Sequence, residues 1–336
     1  MTASSISIVL ATHNGAAFLG EQLESLLSQS LPPLEIVVGD DASTDDTLAI
    51  LNSFASRSKV PIRVHRNLPG LGFRENFLDC CSHAKGEWIA FCDQDDVWHP
   101  QKLATCAQHF GREGVVMVTH AAHLIDAQGK TIGRFRQGID SDATKPPLAY
   151  DPWSTFWGFS LVFKRRLLDL CSSDGRFVDY IAPRHKIAHD RWVCFLAQCV
   201  GNTVELAQPL AGYRQHGANA FGAGDKRARN IRKETVERHR HYVAATERML
   251  DIVESMPAWA EHEFPAFDRA RAYAFFSAAL AQLKARSAVY EKSRGGGVVQ
   301  AARNFIDGSY ADVRSGRMRW RSLWRDVIYC ASPGKR

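Results

Sequence analysis

No stretch of this 336-residue sequence reaches the ~18–20 consecutive apolar residues that a membrane-spanning helix needs. The best candidate, residues 270–283, is too short and is interrupted by Arg271 and Ser277. The opening MTASSISIVLATHNG lacks the basic n-region of a secretory signal, and its apolar run is too short for one. The expected location is therefore the cytosol. None of the eight cysteines (80, 81, 92, 106, 171, 194, 199 and 330) forms a CxxC pair, and no Cys/His set has zinc spacing. Reduced, mostly buried thiols are expected. No GxGxxG follows the first apolar run, which argues against a dinucleotide fold. There is no internal repeat and no nucleic-acid recognition motif, so a nucleic-acid partner is not expected.

What remains is an ordinary globular composition, 45% hydrophobic and 23% charged, which excludes disorder and fibrous repeats. The charge is uneven. Residues 217–336 hold 22 Lys and Arg against 13 Asp and Glu, while the net charge of the whole is only +6. A basic tail follows an acidic front half. Such a tail suits an anionic lipid or polyanionic substrate, or is simply a solvated helix face.

The front half alternates between strand and helix patterns. Residues 6–11 (ISIVLA), 36–39, 62–65 and 88–92 (WIAFC) read as strands, dense in β-branched and aromatic residues. Helices are expected after residue 15, after Ser43 or Thr44 as cap, at 73–84 and near 100–110. This is the pattern of a parallel sheet covered by helices, whose ligands bind beyond the carboxyl ends of the strands. Three of the four strands end in polar clusters: Thr12-His13-Asn14, Asp40-Asp41 and Asp93-Gln94-Asp95-Asp96. Further strands are expected at 115–119, 158–163, 203–206 and 210–214, and helices at 165–171 and 190–199. Beyond residue 225 the chain reads helical, with Gly295-Gly296-Gly297 as a flexible joint and an amphipathic segment over 316–329. The expected division is 1–224 as a catalytic domain (1–114 nucleotide-binding, 115–224 acceptor-side) and 225–336 as a basic helical region.

Asp93, Asp95 and Asp96 crowd the end of a buried strand. Their mutual repulsion is relieved by a divalent cation, and hard oxygen ligands suit Mg²⁺ or Mn²⁺. In extended chain Asp93 and Asp95 point the same way and can reach one ligand together. The alternative is that Asp95 or Asp96 caps the following helix.

These motifs carry a resemblance. WIAFCDQDDVWHPQKL, with SIVLATHNG before it and EIVVGDDASTDDT between, resembles the family 2 glycosyltransferases of GT-A fold over about the first 110 residues. His189-Asp190-Arg191-Trp192 and Tyr213-Arg214-Gln215-His216-Gly217 fit as well, and the DQDD-VW and YRQHG forms resemble the bacterial rhamnosyltransferase branch. The resemblance implies an α/β fold of GT-A type, with a mostly parallel central sheet, helices on both faces and a C-terminal helical extension. It also implies an inverting, metal-dependent enzyme that uses a nucleotide-diphospho-sugar donor. dTDP-L-rhamnose is the first expectation for the donor and a UDP-hexose the second. The acceptor that the resemblance implies is a hydroxyl of a glycan or lipid-linked acceptor in bacterial surface polysaccharide synthesis.

Residue by residue, the resemblance places Ala11, Thr12 and Asn14 at the nucleotide, with Asp40 or Asp41 on base or ribose. Asp93 faces ribose or donor sugar, Asp95 is the metal ligand and His216 a further one. Asp190 takes the general-base position, and His189 stands where many members have Glu.

Each residue also has a plainer reading. Asp190 can cap a helix, His216 can be a loop histidine, and Asp40-Asp41 can be turn residues. Arg74 and Asn76 can touch phosphate or nucleotide, or lie on a solvated helix start. Trp98, Trp153 and Trp157 can stack on an acceptor sugar or pack the core. A metal-dependent phosphohydrolase is disfavoured because Thr12-His13-Asn14 offers no carboxylate after the first strand. A non-catalytic sugar binder is disfavoured by the intact Asp93, Asp95 and Asp190. Trp320, Leu323, Trp324, Val327 and Ile328 share one helical face, with Arg319, Arg321 and Arg325 on its flanks and back. That face suits a membrane interface, giving a peripheral enzyme at the inner membrane, or packs on protein.

Overall fold

The computed structural model describes residues 5–217 and 231–331. Its centre is a ten-stranded sheet. The first part arises by alternation: β1 (Ile6–Thr12), α1 (Ala16–Leu27), β2 (Glu35–Asp40), α2 (Thr47–Arg57), β3 (Ile62–Arg66), α3 (Phe73–His83) and β4 (Trp88–Asp93). The order β3-β2-β1-β4 is parallel throughout. There follow β5 (Val97–Trp98), α4 (Lys102–Ala107), β6 (Val115–Ile125), β7 (Thr131–Phe135), β8 (Ala143–Lys145), β9 (Val162–Lys164), α5 (His189–Val200) and β10 (Asn202–Arg214). β9 runs antiparallel between β4 and β6, and β10 is parallel to β6 over its whole length. β5 pairs antiparallel with the end of β10, which brings the loop after β4 to the end of the last strand.

Residue alternation sends the β1 side chains to opposite faces. Ile8 and Leu10 pack with Leu19, Leu23 and Leu26 of α1 and with Leu51 and Phe54 of α2. Val9 faces the other way, with Phe77 of α3 and Trp192 and Phe195 of α5. The second core continues into α6 (Ile231–Ser255), α7 (Trp259–Glu263) and α8 (Arg269–Glu291) through Met249, Ile252, Ala260 and Phe276. α9 (Arg294–Ile306) and α10 (Trp320–Ala331) close on α8 around Val289, Ala301 and Cys330. The architecture is the expected one: a mostly parallel sheet, helices on both faces and a helical C-terminal extension.

Several local expectations need correction. Gly295, Gly296 and Gly297 are no joint but the first turn of α9. At Gly297 the helix approaches so closely that a Cβ would lie 2.7 Å from Cys330 Sγ and 2.9 Å from the Val289 carbonyl oxygen. Residues 158–160 form a 3-10 turn, and only Val162–Lys164 is strand. The helix expected at 165–171 is likewise a 3-10 turn, Arg165–Asp169. The two expected strands at 203–206 and 210–214 are one, whose register shifts at Leu206/Pro209 absorb the proline. Neither Ser43 nor Thr44 caps α2, whose N-cap is Asp46. The start of the helical tail expected at 225 lies outside the described residues.

Candidate active site

The carboxyl ends of β1, β2 and β4 open into a cavity of about 830 Å³, walled on the far side by α5 and the segment before it. Ala11, Thr12, Asn14, Asp41, Asp93, Asp95, Asp190 and His216 all line it. Asp40 does not. Its fully buried carboxylate accepts from Thr12 Oγ1 at 3.2 Å and from the Ser43 backbone N–H at 3.1 Å, so it ties the β2 turn to β1. Asp41 faces the cavity while its two oxygens accept from the N–H groups of Leu71 and Gly72, at 2.5 and 2.8 Å.

The turn after β1 is locked to the loop after β4. The Gln94 amide accepts from His13 N–H at 2.8 Å and donates to the His13 carbonyl at 3.0 Å. A Cβ at Gly15 would lie 2.3 Å from Gln94 Oε1, so a larger residue there would displace the Gln94 amide from this pair. Asn14 sits at φ 48, a conformation asparagine tolerates better than most residues. Its side-chain oxygen accepts from Thr44 N–H at 2.8 Å.

Asp93 lies opposite Ala11 in the β1–β4 register. Burial, with Asp95 and Asp190 nearby, pushes its carboxyl up to about 7, partly offset by the Lys102 ammonium. Asp95 Oδ2 lies 2.8 Å from His216 Nε2. Asp96 faces inward, fully buried, and accepts from Arg214 N–H at 3.0 Å. Neither Asp95 nor Asp96 caps α4, whose N-cap is Gln101.

Asp190 enters from the first turn of α5, whose N-cap is Ala188. Its Oδ1 accepts from Arg191 N–H at 2.7 Å, and burial raises its carboxyl above the usual range against that bond. His189 stacks on Phe77 with ring centroids 3.9 Å apart, and burial lowers its imidazole to about 3. It is a neutral wall of the cavity.

Sequence reasoning missed Asp179. Nearly inaccessible, it bridges Arg74 at 3.2 Å and Arg191 at 3.0 Å, holding two arginines at the cavity edge. No spacing signals it, because residues 74, 179 and 191 come from three separate segments. Of the three tryptophans, only Trp157 lines the cavity, 5.6 Å from the Tyr213 ring. Trp98 is buried under the Lys102 ammonium, 3.4 Å from its ring, and Trp153 donates to Thr246 at 3.1 Å. Asn76 is buried and donates to the Gly39 carbonyl at 2.8 Å.

Residues 7–170 match the sequence model of the family described as Glycosyl transferase family 2. An uncharacterized glycosyltransferase of Nostoc sp. is 32% identical over 229 residues, which cover 64% of this chain and 66% of that relative. The chain thus spans just under two thirds of that relative's length. The Escherichia coli UDP-Glc:alpha-D-GlcNAc-diphosphoundecaprenol beta-1,3-glucosyltransferase WfaP is 32% identical over 130 residues, 39% of this chain and 50% of WfaP. Among solved structures, residues 1–349 of S. aureus TarS in complex with UDP match with a TM-score of 0.55 at 16% identity, over 97% of this chain and 89% of that one. At such identity the likeness concerns the fold alone, which is GT-A-like.

Proposed function

We propose that the chain is a metal-dependent, inverting glycosyltransferase, a reading supported by the match of residues 7–170 to the sequence model of glycosyl transferase family 2. It moves a sugar from a nucleoside diphosphate to a hydroxyl of a glycan or lipid-linked acceptor in surface polysaccharide synthesis. The observation that carries this reading is the meeting of Asp93, Asp95, Asp190 and His216 around one cavity.

Asp95 and His216 offer two donors to a divalent cation, although among the described residues no three His, Cys, Asp or Glu side chains converge as a metal cluster. A carboxylate oxygen and an imidazole nitrogen stand 2.8 Å apart at the cavity wall, beside a second carboxylate at Asp93. They would hold Mg²⁺ or Mn²⁺ and leave its remaining positions to phosphate oxygens and water. Such a cation, when bound, offsets the charge of the departing diphosphate. Ala11, Thr12, Asn14 and Asp41 take the nucleoside, and Asp93 the ribose or donor sugar.

Asp190 is the general base. Its carboxylate takes the acceptor hydroxyl proton as that oxygen bonds the anomeric carbon. The bond from carbon to diphosphate breaks on the opposite face, and the configuration inverts. Burial raises the Asp190 carboxyl, which strengthens it as a base near neutral pH. Trp157 and Tyr213 offer an aromatic wall to a sugar face.

A UDP-hexose is the donor that the relatives favour, since the E. coli relative is named for UDP-Glc. dTDP-L-rhamnose is the second reading, favoured by the DQDD-VW and YRQHG forms. A nucleotide-sugar panel with Mn²⁺, read by thermal shift and nucleotide release, decides between them. Stabilisation by UDP-glucose and none by dTDP-rhamnose supports the first; the reverse supports the second. Stabilisation by neither, with no nucleotide release, contradicts both.

The acceptor reading extends to the outer face of α10. Trp320, Trp324 and Ile328 are 56%, 59% and 57% exposed, and exposed Ile306 of α9 adds to the apolar residues of these two helices. Leu323 and Val327 turn partly inward, and Asp326 and Cys330 are buried. With Arg317, Arg321 and Arg325 exposed nearby in the chain, this face supports peripheral contact with an anionic membrane at its cytoplasmic side. Among the described residues no helix is long and apolar enough to cross a membrane.

A further inference from the structure

A second cavity, of about 280 Å³, lies between the 151–154 segment and the C-terminal helices. Its walls come from that segment, α6, α8 and the start of α10. Four arginines line it (Arg238, Arg286, Arg319 and Arg325) against one carboxylate, Asp151.

Two of the four are neutralised. Arg286 grips the buried Asp326 with two bonds, at 2.9 and 3.0 Å. Arg319 meets Asp151 at 2.6 Å and Asp312 at 3.0 Å. Asp326 is fully engaged, because the Tyr290 and Tyr310 hydroxyls also donate to it, at 2.5 and 2.8 Å. Arg238 and Arg325, both exposed, have no carboxylate at ion-pair distance among the described residues. They come from different helices and line the same small cavity, beside Ser322 one turn before Arg325 on α10.

Two guanidinium groups with no carboxylate partner among the described residues, and a hydroxyl, surround this concave space and suit the oxygens of a phosphate better than a neutral ligand. We propose that this cavity binds a phosphate or diphosphate group, held by Arg238, Arg325 and Ser322. It sits close to the donor cavity in the chain: Trp153 and Ser154 line this one, and Thr155 and Trp157 the other. Tyr180, which lies in the chain between Asp179 and Ile181 of the donor cavity, stacks on Tyr242 of this one with ring centroids 4.5 Å apart. A phosphate seated here marks where the charged end of a phosphate-linked acceptor rests while its sugar reaches Asp190. That last step rests on the transfer reaction proposed above; the anion site does not.

The test is isothermal titration of the full chain in EDTA with inorganic pyrophosphate and, separately, geranyl diphosphate. Both bind the wild type. The double variant Arg238→Ala/Arg325→Ala weakens both by about tenfold or more, and Arg238→Lys/Arg325→Lys recovers most of the loss. Tighter binding of geranyl diphosphate than of pyrophosphate identifies a lipid-linked headgroup as the source; equal binding identifies a free inorganic anion. Pyrophosphate affinity unchanged in the alanine variant, or no binding to the wild type, overturns the proposal. A parallel titration with UDP and Mn²⁺ reads the donor cavity separately. Its failure contradicts the transfer reaction and leaves the anion site standing.

Discussion

His216 Nε2 stands 2.8 Å from Asp95 Oδ2, although 121 residues separate the two in the chain. Arg214 fixes that meeting. Fully buried, it donates from its backbone to Asp96 at 3.0 Å and from Nε to the Asp95 carbonyl at 2.7 Å, and its Nη2 reaches Glu21 at 2.5 Å. The end of β10 is thereby clamped to the loop after β4 and to α1.

If this pair holds the cation, Asp95→Ala and His216→Ala each lower transfer by about 10²-fold or more, several kcal/mol of lost charge stabilisation. Thermal midpoints stay near wild type, because neither residue packs the core. EDTA abolishes transfer, and Mg²⁺ or Mn²⁺ restores it. Full transfer in EDTA contradicts the metal role.

Acid should loosen the C-terminal helices. His239 of α6 lies 2.8 Å from the Leu283 carbonyl of α8, and burial lowers its imidazole to about 4. The unfolded histidine titrates near its ordinary value of about 6.5, so between those values the unfolded chain binds more protons. The contribution of the neutral ring is complete above about pH 6.5 and is lost as pH falls towards 4, reaching about 2 kcal/mol at pH 5. His239→Gln keeps an N–H donor and does not titrate. Thermal midpoints over that range should fall less steeply in the variant; equal slopes contradict the assignment.

The glycine run at the start of α9 offers a paired test. Gly295 has nothing within 4 Å of a built Cβ, so Gly295→Ala gains up to about 1 kcal/mol of helix propensity. Gly297→Ala meets the Val289 carbonyl and Cys330 and costs about 1–3 kcal/mol. Opposite shifts of the thermal midpoint are expected; two shifts of one sign contradict the close packing of α9.

The exposed face of α10 is tested by flotation. Wild type should partition to anionic liposomes and less to neutral ones, with salt weakening the binding. Trp320→Ser/Trp324→Ser should lose most of it. Equal partitioning of both proteins, or none by either, contradicts membrane contact.

The sheet was legible where its strands are buried on both faces. β1, β2 and β4 are buried and largely apolar, with Ser7 the one polar residue inside β1, and each ends abruptly in polar residues, so strand and ligand edge could be read together. The short strands β5 and β8 carry too few residues for a period, β7 is largely exposed and interrupted by Gly133, and all three take their form from β6 and β10. The choice between Asp40 and Asp41 was open from sequence, yet alternation bears on it: Asp40 pairs with Thr12 in register and turns into the sheet. Asp179 lay beyond sequence reasoning, because its meaning comes only from the two arginines that fold against it. The glycine run misled because flexibility and close packing call for the same residue.

The central claim is that Asp190 removes the acceptor proton, and Asp190→Asn tests it most directly. The asparagine is nearly isosteric, and its oxygen can still accept from Arg191 N–H, but it cannot take a proton at neutral pH. Nucleotide binding in the presence of Mn²⁺ should stay within about twofold of wild type, while turnover falls by about 10²–10⁴-fold. Turnover near the wild-type rate in this variant would contradict the account.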